Sequence, residues 1–207
     1  MPHTLTVLWT IRARTAPRPW LACSRCRGQR PFVCSGKTRL NANGRRLDAW
    51  LIYRCTDCED TWNRPIFERL NVRGIDPAMI EAFQNNEPDW IRRVAFDVEG
   101  LRKCTNRIEE FAECHVEKRV LAVPDGICAR LEIVLNVALA ASVRTDRLLS
   151  MELGLARARL SHLEAGGCLT VRPQVRKALT RPVRDGTRVV LDLSALEERD
   201  VIAGRAG

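Results

Sequence analysis

The sequence predicts an α+β fold: a cysteine-clasped β-hairpin, then short helices with a few strands, then a helix-turn-helix-strand module. Three observations carry this prediction. Two Cys-x-x-Cys pairs, Cys23/Cys26 and Cys55/Cys58, stand 28 residues apart around a strand-turn-strand pattern. Helix caps and N-terminal prolines recur between Asp76 and Asp97. Between Asp146 and Val171 one helix is broken by Gly154, a second is stopped by Gly166-Gly167, and Leu169 and Val171 begin a strand. These features divide the chain into residues 1–73, 74–141 and 142–193, with 194–207 as a C-terminal tail.

The hairpin comes first. Nine cysteines, an odd number, argue against a disulfide framework. Each Cys-x-x-Cys can wrap a turn that aims two thiolates at one ion, and four thiolates complete the tetrahedron of a structural zinc site. Phe32 to Ser35 reads as a strand, Asn43-Gly44 as a turn and Leu47 to Arg54 as the returning strand. This is a zinc-ribbon-like layout, and so small a sheet needs the metal to fold. Four thiolates leave no position for water, which disfavours catalytic zinc. A redox Cys-x-x-Cys gives no reason for a second pair. Neither pair is followed by glycine, and Cys34 is an alternative ligand. Trp62, Ile66 and Phe67 are expected to cover the hairpin, with Arg64, Arg69 and Arg73 facing water. Arg25, Arg27 and Arg30 either offset the negative charge of the thiolate centre or extend a nucleic-acid surface.

In the middle, Asp76 and Pro77 start a helix with Met79, Ile80 and Phe83 on its apolar face. Pro88 or Asp89 begins a second, carrying Trp90, Ile91 and Val94, and Asp97 caps a third that runs to about Lys103. Arg119 to Val123 and Leu131 to Leu139 read as strands separated by Pro124-Asp125-Gly126, although the second run also suits a buried helix. His115 reads as an exposed histidine on a charged strand.

Net charge is +9, split as +9, −4 and +4 over residues 1–73, 74–141 and 142–207. Arginine greatly outnumbers lysine at both ends, and its planar fork of donors suits phosphate and guanine edges. A plain solvated surface explains the charge equally well. No run approaches the roughly 20 apolar residues of a membrane span. Arginines interrupt the opening residues too early for a secretory signal, so a cytoplasmic protein is expected.

In the last module, Asp146 is expected to cap the first helix, Leu160 and Leu163 to face inward from the second, and Arg157 and Arg159 to sit near its N-terminus, where backbone donors favour phosphate. Arg144 and Asp146, Leu153-Gly154-Leu155, Arg157 ten residues before Gly167, and Val183, Gly186 and Val189 together resemble the αL-motif RNA-binding domain. That domain occurs in the fourth small-subunit ribosomal protein, tyrosyl-tRNA synthetases and many pseudouridine synthases. The resemblance covers about a quarter of the chain, lacks the usual Asn-Gly turn after the first strand, and has Ala156 where serine is usual. It implies that structured RNA is bound by shape and phosphate contacts. Arg144, Arg147, Arg157 and Arg159 would lie on a helical face, and Arg172, Arg176, Lys177 and Arg181 on the adjoining loop. The whole chain also resembles an uncharacterised bacterial family, a domain of unknown function with a paired-cysteine zinc ribbon at its N-terminus.

The function expected is that of a zinc-containing RNA-binding protein linked to ribosome or tRNA metabolism, with rRNA or tRNA as partner. The alternative is a protein-interaction adaptor that uses the ribbon and the acidic helices and binds no nucleic acid. An enzyme is not expected: there is no phosphate-binding glycine loop and no dinucleotide fingerprint, and His3, His115 and His162 offer no triad.

Overall fold

The structure, a computed structural model, describes residues 3–207. The chain forms two units, one built from residues up to Arg14 together with Phe111–Gly207, the other from Thr15–Glu110. Each unit has its own five-stranded sheet, and the described residues include six α-helices.

The first unit opens with β1 (Thr4–Ala13), whose alternation buries Leu5, Val7, Trp9, Ile11 and Ala13 on one face. From there the chain builds the second unit in an unbroken run. β2 (Arg18–Cys23), β3 (Gly28–Asn43), β4 (Arg46–Cys55) and β5 (Thr61–Asn71) form an antiparallel series, completed on the far side of β2 by the short β6 (Ile108–Glu109). The expected hairpin turn is present, with Gly44 at φ +61°, a conformation that favours glycine. Between β5 and β6 lie α1 (Pro77–Gln84), α2 (Pro88–Ala95) and α3 (Val98–Arg102), capped by the side chains of Asp76, Glu87 and Asp97. Of the expected apolar face on α1, Phe83 is buried while Met79 is exposed. Phe32, Leu51 and Tyr53 from the sheet meet Ile91, Ala95 and Leu101 from the helices in one core, with Trp62 and Ile66 packed against it.

Arg64 does not face water as expected. It is 3 % exposed. Its guanidinium donates to the Val94 carbonyl at 2.7 Å, the Asp97 carbonyl at 3.3 Å and the Asp97 carboxylate at 2.8 Å, satisfying the C-terminus of α2 and fixing the start of α3. Gly100 leaves room for this, because a Cβ there would collide with Asp97 and with Arg64 itself.

The chain then returns to the first unit. β7 (Cys114–Ala122) pairs antiparallel with β1, β8 (Arg130–Asn136) lies parallel to β1, and β9 (Leu169–Arg172) and β10 (Arg188–Asp192) extend the sheet in the order β7-β1-β8-β10-β9. The run from Leu131 is thus a strand, with Leu131, Ile133 and Leu135 buried. α4 (Thr145–Leu153), α5 (Arg157–Ala165) and α6 (Arg199–Ala206) supply Leu148, Leu149, Leu153, Leu160 and Ile202 to the core. Two expectations change here. Asp146 lies inside the first turn of α4 and does not cap it, and Arg144 occupies the cap position. Residues 199–206 form a helix in place of a tail, held by the buried Ile202 and Ala206 and by a hydrogen bond from Trp9 Nε1 to the Ala206 carbonyl at 2.8 Å.

The strand pairing also departs from the sequential division at 73 and 141. The helices of 77–102 belong with the cysteine-bearing sheet, whereas β1 joins strands more than a hundred residues later. No helix among the described residues is long and apolar enough to cross a membrane.

Arg64→Ala is expected to lower stability by about 2–3 kcal/mol, because it empties a buried side-chain position, takes the charged donor from the Val94 and Asp97 carbonyls and leaves Asp97 Oδ2 without a donor. Urea unfolding measures this, and Arg64→Lys should recover less than half, since the donors of an ammonium sit on one nitrogen and cannot span the acceptors that the two Nη atoms reach.

Candidate metal centre and basic surface

Cys23 ends β2 and Cys26 sits in the turn to β3; Cys55 ends β4 and Cys58 sits in the turn to β5. Adjacent turns of one antiparallel sheet therefore deliver both pairs to the same end. All four sulfurs lie within 4.8 Å of one another, a group that can hold a metal ion. Cys23 and Cys58 approach to 3.4 Å and Cys26 and Cys55 to 3.9 Å. These separations bracket the edge of about 3.8 Å required of a tetrahedron with sulfurs about 2.3 Å from its centre. Cys34, the alternative ligand, stands outside the group: it pairs with Tyr53 across the β3–β4 ladder.

Backbone amides stabilise the first cysteine of each pair. The Cys26 amide donates to Cys23, and the amides of Asp57 and Cys58 donate to Cys55. Burial pushes Cys55 up, but its donors outweigh burial and bring it down to about 7. Cys26 is pushed up to about 12, chiefly by its hydrogen bond with Cys58 and then by burial. Four sulfurs this close cannot all carry charge unless a cation shares the site.

The missing glycines have a structural counterpart. Arg27 and Glu59, the residues after each second cysteine, take left-handed φ values of 51° and 60°. Each turn therefore adopts the geometry that glycine eases, with a non-glycine residue bearing the strain. Two of the three nearby arginines tie the turns together. Arg25 donates to the Cys58 carbonyl at 3.3 Å and Arg30 to the Asp57 carboxylate at 2.6 Å, while Ser24 reaches Asp60 at 2.9 Å.

The basic residues predicted at the C-terminal module separate into two clusters and two single residues. Arg144 and Arg157 converge on one nearly buried carboxylate, Asp146, at 2.6 and 3.3 Å, and the Arg147 amide donates to the same side chain at 2.8 Å. Two guanidiniums thus share one acid, and the exposed Arg147 side chain adds a third cation without a carboxylate of its own. Around the neighbouring loop, Arg181 donates to the Arg176 carbonyl and Thr145 binds the Arg181 carbonyl, so Arg176, Lys177 and Arg181 are anchored beside the start of α4. Arg159 turns to Glu198 at 3.6 Å. Arg172 stands apart: it lines a cleft on the face of the sheet opposite the buried one, directly across from Arg188 and near Arg130.

Fold and site together define a two-sheet α+β protein with a four-cysteine cluster able to hold a metal ion. The chain belongs to the family described as protein of unknown function (DUF1062), whose model matches residues 40–175. That match takes in Cys55, Cys58, α4 and α5, and begins after Cys23 and Cys26. No curated protein and no solved structure matches the chain.

Glu59→Gly should raise the stability of metal-loaded protein by about 0.5–1 kcal/mol, because relief of left-handed strain exceeds the added chain entropy; denaturant midpoints test this. Cys55 has a folded value depressed below its ordinary 9.0, so the stability its thiolate contributes is present above about pH 9 and lost as pH falls through about 7. Metal uptake by stripped protein is accordingly expected to slow as pH drops through about 7, as followed with a chromogenic metal indicator.

Proposed function

We propose that this is an RNA-binding protein whose cysteine cluster is a structural zinc site in a zinc-ribbon-like sheet and whose α4–α5–β9 region is an αL-like RNA-binding module. A link to ribosome or tRNA metabolism follows from that module. The observation that carries the reading is the surplus of cations around Asp146. Arg144 and Arg157 share a single carboxylate, Arg147 gives it only a backbone amide and keeps an exposed guanidinium, and Arg176, Lys177 and Arg181 stand on the adjoining loop. A phosphate backbone supplies the missing negative charge, and α5 begins at Ala156 without a side-chain cap, leaving amide donors for an anion.

Zinc suits four thiolates at tetrahedral spacing with no vacant position, and its role would be to hold the two turns together. Elemental analysis distinguishes zinc from iron, which thiolates also bind. A cytoplasmic setting fits nine unpaired thiols.

The test is anisotropy of a labelled structured RNA across a salt series. Affinity is expected to fall steeply with salt, and Arg147→Ala/Arg176→Ala/Lys177→Ala should weaken binding at least about tenfold and reduce the slope of log K against log salt by about 2. Undiminished binding by the triple variant sinks the module's role. A co-purifying protein insensitive to ribonuclease, with no RNA bound at low salt, would favour an adaptor.

A further inference from the structure

The end of the second unit's sheet away from the cysteines has no role in the reading above. β2 pairs only with Gly28 to Pro31 of the sixteen-residue β3, so the stretch from Lys37 to Asn43 continues with β4 alone on its bonded edge. β5 follows β4 to Asn71, opposite Arg46. A three-stranded ribbon thus runs past the rest of its sheet and ends at the turn around Gly44.

This end is strongly basic. Lys37, Arg39, Arg45, Arg46, Arg69 and Arg73 are all exposed, and none of these side chains forms an ion pair. The nearby Asp48 and Glu68 offset them only in part and pair with none of them: Asp48 accepts from the Arg69 amide at 2.6 Å and Glu68 from Trp50 Nε1 at 3.4 Å. The backbone gathers the cations. Val72 donates to the Arg45 carbonyl at 3.0 Å, setting Arg45 beside Arg73, while Arg46 lies in register with Asn43 and Asn71. Arg69 sits at a break in the β4–β5 register with φ 54°, a conformation costly for any residue but glycine, and the bulge re-aims its side chain. Exposed Leu70 and Val72 lie between these charges.

We propose that this ribbon end is a second phosphate-backbone-binding surface for structured RNA. The proposal rests on the RNA-binding reading. Six cations against the two carboxylates of Asp48 and Glu68 leave a net positive surface, and a polyanion that displaces salt relieves its self-repulsion. Extent favours a nucleic acid over a small anion: Lys37 to Asn43 alone spans about 20 Å of strand, the length of several nucleotides.

The experiment compares two variants of the full-length, metal-loaded protein against labelled total tRNA and a labelled rRNA hairpin across a salt series. One carries Arg39→Ala/Arg45→Ala/Arg46→Ala/Arg73→Ala, the other Arg147→Ala/Arg176→Ala/Lys177→Ala. None of the four ribbon guanidiniums makes an ion pair, and metal content with thermal melting verifies the fold. The ribbon variant is expected to bind at least about tenfold more weakly with a salt slope reduced by about 3. If it binds as wild type while the module variant weakens, the ribbon proposal is wrong and the RNA-binding reading stands. If the ribbon variant alone weakens, the ribbon proposal holds and the module's role fails. If wild-type protein binds neither RNA at low salt, both readings fall. Should the quadruple variant misfold, ultraviolet cross-linking of wild-type protein decides: adducts within 37–46 or 69–73 support the proposal, and adducts confined to 144–181 overturn it.

Discussion

The pairing of β1 on both of its edges is the constraint from which the rest of the topology follows. A strand at the start of the chain lies antiparallel to 114–122 and parallel to 130–136, and the Arg14 amide donates to the Glu113 carbonyl. The polypeptide therefore leaves the first sheet after Arg14 and comes back one strand-spacing away, about 5 Å. Everything between is an insertion whose two ends are fixed side by side. Closing so long a loop costs little more than closing a short one, because the entropy grows only with the logarithm of length. What it demands is that the inserted segment fold around contacts of its own.

Those contacts come from two sources in the second unit. At one end, the sulfurs of adjacent turns meet at tetrahedral spacing, and Arg25, Arg30 and Ser24 tie one turn to the other. In the body of the unit, the buried Arg64 joins β5 to the carbonyls where α2 stops and α3 starts. A guanidinium is suited to this position because its rigid fork satisfies several acceptors at once and its charge meets Asp97. The apolar core between sheet and helices supplies the non-directional part of the stability, while the sulfurs and Arg64 fix register and orientation.

Arginine serves opposite purposes in different parts of this chain, and the number of nearby acceptors decides which. Arg64 has three acceptors and is structural. Arg144 and Arg157 share one carboxylate, which positions them and leaves net positive charge beside α4 and α5. At the ribbon end the local carboxylates contact an amide and an indole, so none of the exposed guanidiniums there is held in an ion pair. Composition counts all of these alike, although only the last two kinds are available to a polyanion.

Local chemistry was written in the sequence wherever spacing or a cap specifies it. The four cysteines, the Gly44 turn, the capping by Asp76 and Asp97, the stop at Gly154 and the strand from Leu131 each depend on neighbours a few residues away, so periodicity and residue type sufficed. Arg64 was misread because an arginine in the local run Asn63-Arg64-Pro65 looks solvated until distant carbonyls from 94 and 97 arrive around it. The partition of the chain was hidden for the same reason: no local signal tells Thr4–Ala13 that its partners lie beyond residue 113. Residues 199–206 read as a tail because their burial depends on Trp9, 197 positions away. The sequence by itself determined which segments become strands, helices and metal-competent turns. Only the tertiary structure decided which strands share a sheet, which arginines are neutralised and which remain free, since those outcomes depend on pairings between residues far apart in the chain.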